Sequence, residues 1–358
     1  MTPSDSQPLN VLMMPDYRKD NLYQDLLAKA IEKQGTRVFF PYGYRRIFPI
    51  FRAIRTHQST IQVLHLHWLD PYIKGENWFV RWVYALKFLI DILLAKSSKA
   101  RIIWTVHNGI PHRSKSPRLD LWLRKIMWQL ADQIIVHSRS AQDYLEKEWQ
   151  VNISKSQVIP HGYYRDAYPS LIDPIEARQQ LNLPLTGRVY LNFGMLKPYK
   201  GIEDLIDIWV NHAEIVQDHT LLIAGMPIDK AYATKLSALI PQGSNIIFHP
   251  QFIENDQIHL YFSAADIIVL PLKSIMTSGS LILAMSYGKP VIAPKLGCIP
   301  EALGAATELL YDSKESQGLR NSIQFSSSAD LESLSKQVVE ACDQLDWEKI
   351  GLSTCKIY

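Results

Sequence analysis

Short apolar runs alternate with amphipathic stretches along most of this chain, and that alternation leaves few folds open. Asn10–Met14, Arg37–Phe40, Ile61–Leu66, Ile102–Val106, Gln133–Val136 and Gln157–Ile159 read as strands of a first half. Tyr23–Lys33, closed by Gly35, then Trp78–Ala95 and Leu119–Leu130 read as helices among them. The series restarts after Tyr168–Pro174, a Pro- and Asp-containing stretch that is also a hinge candidate. Val189–Phe193, Thr220–Ala224, Asn245–Phe248, Ile267–Leu270 and Val291–Ala293 are the strands of the second half. Its helices are Ile202–Trp209, Lys230–Ile240, Gln257–Ala264 and Ser280–Tyr287. Strands separated by helices pair in parallel, because the crossover returns the chain to the same end of the sheet. The expected fold class is α/β, with two Rossmann-like doubly wound parallel-sheet domains facing a crevice. A length of 358 residues suits two cores better than one. The polar tract Ser313–Ser328 reads as a surface loop with a short helix.

Two strand-to-helix junctions in the second half carry the chemistry. They are Phe193–Ile206, FGMLKPYKGIEDLI, and Thr277–Ala293, TSGSLILAMSYGKPVIA. A helix start leaves backbone N–H groups unsatisfied and places the positive end of the helix dipole at the loop. Lys197 and Lys200 add cations to the first junction. Thr277, Ser278 and Ser280 add hydroxyls to the second, and Gly279 lets a ligand approach the backbone. Two anion-binding junctions in one half point to a diphosphate, and so to a nucleotide-linked substrate.

Charge divides unevenly. Residues 1–170 hold 24 Lys and Arg against 14 Asp and Glu, a net of +10, and residues 171–358 hold 14 against 21, a net of −7. The basic half suits a membrane surface, a lipid phosphate or an anionic polymer. No motif for reading nucleic acid accompanies the charge, so nucleic acid is not an expected partner. Cys298, Cys342 and Cys355 form no CxxC pair, which argues against a structural zinc site or a disulfide framework and for a reducing, cytoplasmic compartment. The first 20 residues lack the pattern of a signal peptide. Trp78–Ala95 is interrupted by Arg81, Lys87 and Asp91, so it reads as a buried or half-buried helix, or one lying in a membrane interface, and not as a span. Tyr42–Arg55 sets Arg45, Arg46, Arg52 and Arg55 beside Phe48, Ile50, Phe51 and Ile54. That pattern serves a helix on an anionic bilayer or an ordinary helix packed on a sheet.

The motifs together resemble a GT-B glycosyltransferase, nearest to glycosyltransferase family 4. Leu191–Gly201, Leu221–Gly225, Ala265–Leu272 and Ser278–Pro290 match in the second half, and Thr105–Asn108 and Val158–Gly162 in the first. The resemblance implies a nucleotide-sugar donor domain over residues 169–344 and an acceptor-side domain over 1–168, with a helix over about 345–358 crossing back onto it. It implies that Gly194, Lys197, Lys200, Ser278, Gly279 and Ser280 hold the donor diphosphate. It implies a retaining reaction without a cofactor or metal, on a saccharide or lipid-linked acceptor, in polysaccharide biosynthesis at the inner face of a membrane. His107, at the end of a predicted strand, matches a histidine that orients the transferred sugar. Asn108, His161 and Glu301 are further contact candidates.

The chain also departs from the family pattern. Met195 stands where an arginine is usual, and Ile275 and Leu283 replace two glutamates that contact the sugar and the ribose. Glu301 and Asp266 are the nearby polar candidates to replace them. These departures keep a non-catalytic sugar-nucleotide-binding subunit open as an alternative, beside a nucleotide-sugar epimerase. His65 and His67 alternate on one strand face and read as acceptor-pocket or core residues, with no third ligand for a metal. In Ala329–Ile350, apolar residues recur near helical spacing and lead to Trp347, an anchor for the crossing helix.

Overall fold

The first-half apolar runs become strands of a single sheet. In the inner strands the side chains are largely buried on both faces, as a parallel sheet covered by helices requires, whereas the two edge strands are partly exposed. The structure, a computed structural model, describes residues 8–19, 21–43, 47–57, 60–109 and 115–358. Arg45 and Arg46 lie outside them. Two units are distinguished: Met1–Gly162 with Leu345–Tyr358, and Tyr163–Gln344.

In the first unit the strands are β1 (Asn10–Met14), β2 (Arg37–Phe39), β3 (Val63–Leu66), β4 (Arg101–Thr105), β5 (Gln133–Val136) and β6 (Ser156–Val158). They run in the order β2-β1-β3-β4-β5-β6 with every pairing parallel. Five helices fall between or after them: α1 (Leu22–Glu32), α2 (Pro49–Thr56), α3 (Trp78–Ser97), α4 (Pro117–Leu130) and α5 (Arg139–Trp149). Local capping starts three of them. Asn21 accepts from Tyr23 N–H, Asn77 from Val80 N–H and Ser138 from Ala141 N–H.

Helix α2 starts differently. The Asp91 carboxylate of α3 accepts from the backbone N–H groups of Ile50 at 2.9 Å and Phe51 at 2.8 Å. Burial raises the pKa of Asp91, and the two N–H bonds oppose that shift.

The second unit repeats the plan. Its strands are β7 (Val189–Phe193), β8 (Thr220–Ala224), β9 (Ile246–His249), β10 (Ile267–Val269), β11 (Val291–Pro294) and β12 (Leu310–Tyr311). The order is β12-β11-β10-β7-β8-β9, again all parallel. The helices are α6 (Pro174–Gln180), α7 (Ile202–Asn211), α8 (Ala213–Val216), α9 (Lys230–Ala238), α10 (Ile258–Ala264), α11 (Gly279–Ser286), α12 (Ile299–Leu303), α13 (Gly318–Ser326) and α14 (Leu331–Asp343). Tyr190, Leu205, Ile206, Leu221, Ile223, Ile267 and Val269 are central to its core. The doubly wound parallel architecture is therefore present twice.

The periodic segment Ala329–Ile350 is two helices and not one. Helix α14 ends at Asp343, and Asp346 caps α15 (Trp347–Cys355) by accepting from Glu348 and Lys349 N–H. Helix α15 lies on α1, where Gly351 permits the close approach: a Cβ there would stand 2.6 Å from the Ala30 carbonyl oxygen. The Trp347 ring packs 5.6 Å from that of Tyr23 and covers Gly162, whose missing Cβ would overlap it.

Candidate active site

In a doubly wound sheet, ligands sit at the carboxyl ends of the strands, where the strand order reverses. In the second unit that point lies between β7 and β10. The chain leaves β7 through Gly194, which has φ +102° and whose added Cβ would meet both Lys200 Nζ and Ser280 Oγ at 3.3 Å. Lys200 donates to Ser280 Oγ at 3.3 Å, and Ser280 donates to the Phe193 carbonyl at 3.4 Å. The two junctions that are 80 residues apart in sequence thus form one locus of Gly194, Lys200 and Ser280. Lys200 is 7% exposed, and none of the ion pairs among the described residues gives it a carboxylate. Burial, with Lys197 as a neighbouring cation, pulls its pKa down to about 8.

The two helix starts at this locus are unlike. Helix α7 carries Glu203 and Asp204 in its first turn, so its dipole is already neutralised there. Helix α11 has no acid in its first turn, and Ser278 caps it by accepting from Leu281 N–H at 3.2 Å. Gly279 opens that helix with the Tyr164 hydroxyl 3.9 Å from where its Cβ would be. Glu301 lies on α12, beyond β11 and on the same edge. The buried Cys298 thiol, pushed up to about 11 by burial, feels both the Ser278 backbone and the Glu301 charge, which sets Glu301 close to the start of α11.

Asp266 does not belong to this locus. It precedes β10, at the opposite edge of the sheet, and its carboxylate takes Arg178 and Val189 N–H, both at 2.7 Å. Leu283 is buried and Ile275 half-buried, and neither side chain offers a polar group. A cavity of about 1100 Å³ elsewhere on this unit sets Glu203, Asp204, Asp207 and Glu315 against Lys273 and Arg320, a net acidic lining that does not suit a phosphate.

The first unit presents a row of histidines. Four adjacent strands, β3 to β6, are each followed within three residues by one: His67, His107, His137 and His161. His67 Nδ1 lies 3.1 Å from His107 Nε2, and His107 Nδ1 lies 3.1 Å from His137 Nε2. His137 Nδ1 lies 3.0 Å from the Ile159 carbonyl, which can only accept. That end fixes the protons along the row. His137 donates from Nδ1 and accepts at Nε2; His107 therefore donates from Nδ1 and accepts at Nε2; His67 donates from Nδ1. Its Nε2 is left as a buried acceptor with no hydrogen-bond partner among the described residues.

The row is neutral. Burial, reinforced by neighbouring imidazoles, takes His67 and His107 well below the usual histidine range and His161 to about 3, and burial takes His137 to about 4. The Tyr23 ring covers all four, with centroids 4.6–5.9 Å away, and Trp68 stacks on His107 at 4.5 Å. His161 bonds to the Gly162 carbonyl at 2.8 Å, and Asn108 is exposed just past His107. His65 is a core residue, held between Tyr358 Oη at 2.6 Å and Thr105 Oγ1 at 2.7 Å. Among the described residues no group of three or more His, Cys, Asp or Glu is arranged to hold a metal.

Sequence reasoning misses His137, Tyr23 and Tyr164. His137 carries a usable signal, since it follows β5 as His107 follows β4.

Residues 13–166 match the Glycosyltransferase Family 4 domain, and residues 187–325 the domain described as Glycosyl transferases group 1. A GDP-mannose:glycolipid 4-beta-D-mannosyltransferase of Xanthomonas campestris pv. campestris is 26% identical over 305 residues, covering 82% of this chain and 78% of that protein. Sucrose-phosphate synthase from Thermosynechococcus elongatus shares the fold with a TM-score of 0.74 at 20% identity, covering 98% of each chain. Anabaena HepE in complex with UDP and glucose has a TM-score of 0.72 at 18% identity, covering 97% of this chain and 98% of that one. With the family 4 domain on its first sheet and the group 1 domain on its second, this chain is a family 4-like GT-B glycosyltransferase.

Proposed function

We propose that the enzyme takes a hexose from a nucleoside-diphosphate donor held by the second unit and passes it to a saccharide or lipid-linked acceptor held by the first. One observation carries this reading: a buried ammonium, Lys200, stands at the switch point of its sheet without a carboxylate among the described residues. A buried charge without a counter-ion is costly unless a ligand supplies one. The donor diphosphate is that counter-ion. Lys200 and Lys197 supply cations, Ser280 a hydroxyl, and the first turn of α11 its N–H groups, while Gly194 and Gly279 leave room for the phosphates. As the glycosidic bond breaks, negative charge grows on the departing diphosphate, and these fixed groups stabilise it without moving a proton. The charge is thus met by this chain's own residues, and the reading adds no cofactor or metal.

The proposed outcome is retention, with a donor phosphate oxygen taking the acceptor proton. His107 fits this assignment, since its one lone pair already accepts from His67 and it is not a free base. Its part is to orient the sugar, with Asn108 beside it and His161 at the end of the row. Glu301 is the carboxylate that can serve sugar or ribose hydroxyls in place of Ile275 and Leu283. The GDP-mannose that names one relative and the UDP and glucose in complex with another share a nucleoside diphosphate and a hexose, and the reading keeps to that common part. The glycolipid in the first name supports a lipid-linked acceptor, reached by peripheral contact of the basic first unit with a membrane at its cytoplasmic face.

A thermal-unfolding screen with GDP, UDP, ADP and their hexose conjugates tests the donor. A ligand at about 100 times its Kd adds about 2.7 kcal/mol. At least one nucleoside diphosphate should stabilise the protein, and its hexose conjugate should be consumed with a lipid-linked acceptor. No stabilisation by any of them would remove the reading.

A further inference from the structure

Helix α3 is apolar on nearly all sides, yet half of it is uncovered. Ala85, Phe88, Ile92 and Ala95 are buried. Phe79, Trp82, Val83, Leu86, Ile90 and Leu93 point the other way, each 36–62% exposed. At about 100° per residue these six fall within an arc of roughly 100°, a continuous stripe along the helix. Trp78, at its start, is 69% exposed. An apolar stripe of this length is not scattered surface hydrophobicity and marks an interaction surface. No helix among the described residues is long and apolar enough to cross a membrane.

We propose that this face of α3 is the surface that lies in an anionic lipid bilayer. This names the surface for the membrane contact in the reading above and rests on it. Cations border the stripe. Helix α2, which packs on α3 through Asp91, exposes Arg52 and Arg55. At the start of α4, Trp122 lies 5.0 Å from Trp82, and a hollow of about 540 Å³ there is lined by both tryptophans and Arg118. Tryptophan at the edge of an apolar face, with arginine beside it, suits the boundary between acyl chains and headgroups. Charge decides between a bilayer and a second copy of the chain. Residues 1–170 carry a net +10, counted as 24 basic less 14 acidic. Two such faces would repel each other, whereas anionic headgroups complement them.

Flotation of the full-length protein with vesicles tests this. One set is about 70% phosphatidylcholine and about 30% phosphatidylglycerol, the other pure phosphatidylcholine. The wild type should float with the anionic set and lose binding as salt rises. The double substitution Leu86→Glu, Ile90→Glu should lower the bound fraction at least about tenfold, because each change puts a charge where an apolar side chain would enter the acyl region. Arg52→Ala with Arg55→Ala should weaken binding to the anionic set alone, by about fivefold per arginine. Leu86 and Ile90 lie on the stripe, Arg52 and Arg55 lie beside it, and all four are exposed. Nucleoside-diphosphate binding by the second unit should therefore be unchanged in both variants. That readout separates failure here from failure at the donor site. A wild type that does not float, a Glu double variant that floats like the wild type, or arginine variants with full anionic binding would each overturn the proposal. So would a lipid-free dimer, seen by ultracentrifugation, that the Glu substitutions dissociate.

Discussion

The carboxyl edges of the two sheets are built from the same plan and differ in charge, one neutral and the other cationic. In the first unit, polar side chains at the strand ends bond mainly to one another, with His67 Nε2 a buried acceptor left over among the described residues. His67, His107 and His137 pass hydrogen bonds down to the Ile159 carbonyl, and the row is neutral. In the second, Lys200 is buried beside a second lysine and, among the described residues, bonds to a serine hydroxyl and no carboxylate. A locus whose groups bond mainly to one another can hold a shape at little electrostatic cost. A locus left with an uncompensated charge is poised to take the opposite charge from a ligand. The difference suggests a division of labour, with the imidazole row positioning and the ammonium binding.

The widest test of that division removes the chain's end. Helix α15 and Tyr358 pack into the first unit through Trp347, Ile350 and the bond to His65. Losing several large buried side chains costs about 2–5 kcal/mol each, which exceeds what one unit can spare. Truncation before Trp347 should abolish hydrogen-exchange protection in residues 1–162 and leave nucleoside-diphosphate binding measurable. Retained protection there would show that α15 is dispensable.

Next in size is Lys200→Ala. It should lower nucleoside-diphosphate affinity and transfer by about 10²-fold, the scale of a lost charge-assisted contact, without lowering the melting temperature, because a buried charge has been removed. Unchanged affinity would take Lys200 out of the donor site.

His107→Ala and His137→Ala should act on the other side of the comparison. Both should leave diphosphate affinity within about twofold and reduce transfer by about 10–100-fold, with kcat and kcat/KM falling together. Full transfer in both variants would make the row purely structural.

The effects of pH are spread over several units, and their signs are informative. The folded value of His137 is about 4 against an ordinary 6.5, so between those values the unfolded chain binds more protons. Stability should therefore fall as pH drops from about 6.5 toward 4, by up to about 1.4 kcal/mol per pH unit for each such imidazole. Lys200 works in a different window. Its value of about 8 against an ordinary 10.5 makes its contribution to stability grow as pH rises from 8 to 10.5. An acid limb that His137→Ala leaves unaltered would contradict the assignment of a neutral row.

Much of this is legible in the sequence because the determinants are local. Parallel strands buried on both faces appear as unbroken apolar runs, and β7, β8 and β5 fall on the residues that those runs alone mark out. The Lys-Gly and Ser-Gly-Ser junctions are visible too, although their union around Gly194 needs the sheet to bring β7 beside β10. What stays hidden depends on distant partners. Helix α2 opens on Pro49, a local start signal, but its capping group is Asp91, 41 residues from Ile50, which no local pattern reveals. Asp266 looks close to the donor loops along the chain but stands at the other edge of its sheet, bound to Arg178. His137 carries only the signal of a strand end, while its partners, His107 and the Ile159 carbonyl, are one strand away in space. Trp78–Ala95 reads as buried or half-buried, or as lying in a membrane interface; which face is left outward depends on what α3 is not packed against, which no local pattern reveals.

The central claim is that Lys200 is kept as an uncompensated ammonium for the donor diphosphate. Heteronuclear NMR of its ammonium resonance across pH, in the free protein and with saturating nucleoside diphosphate, measures this directly. A pKa near 8 without ligand that climbs back to the ordinary lysine value of 10.5 or above with it would establish the pairing. An ordinary value in the free protein, or one that the nucleotide does not move, would contradict it.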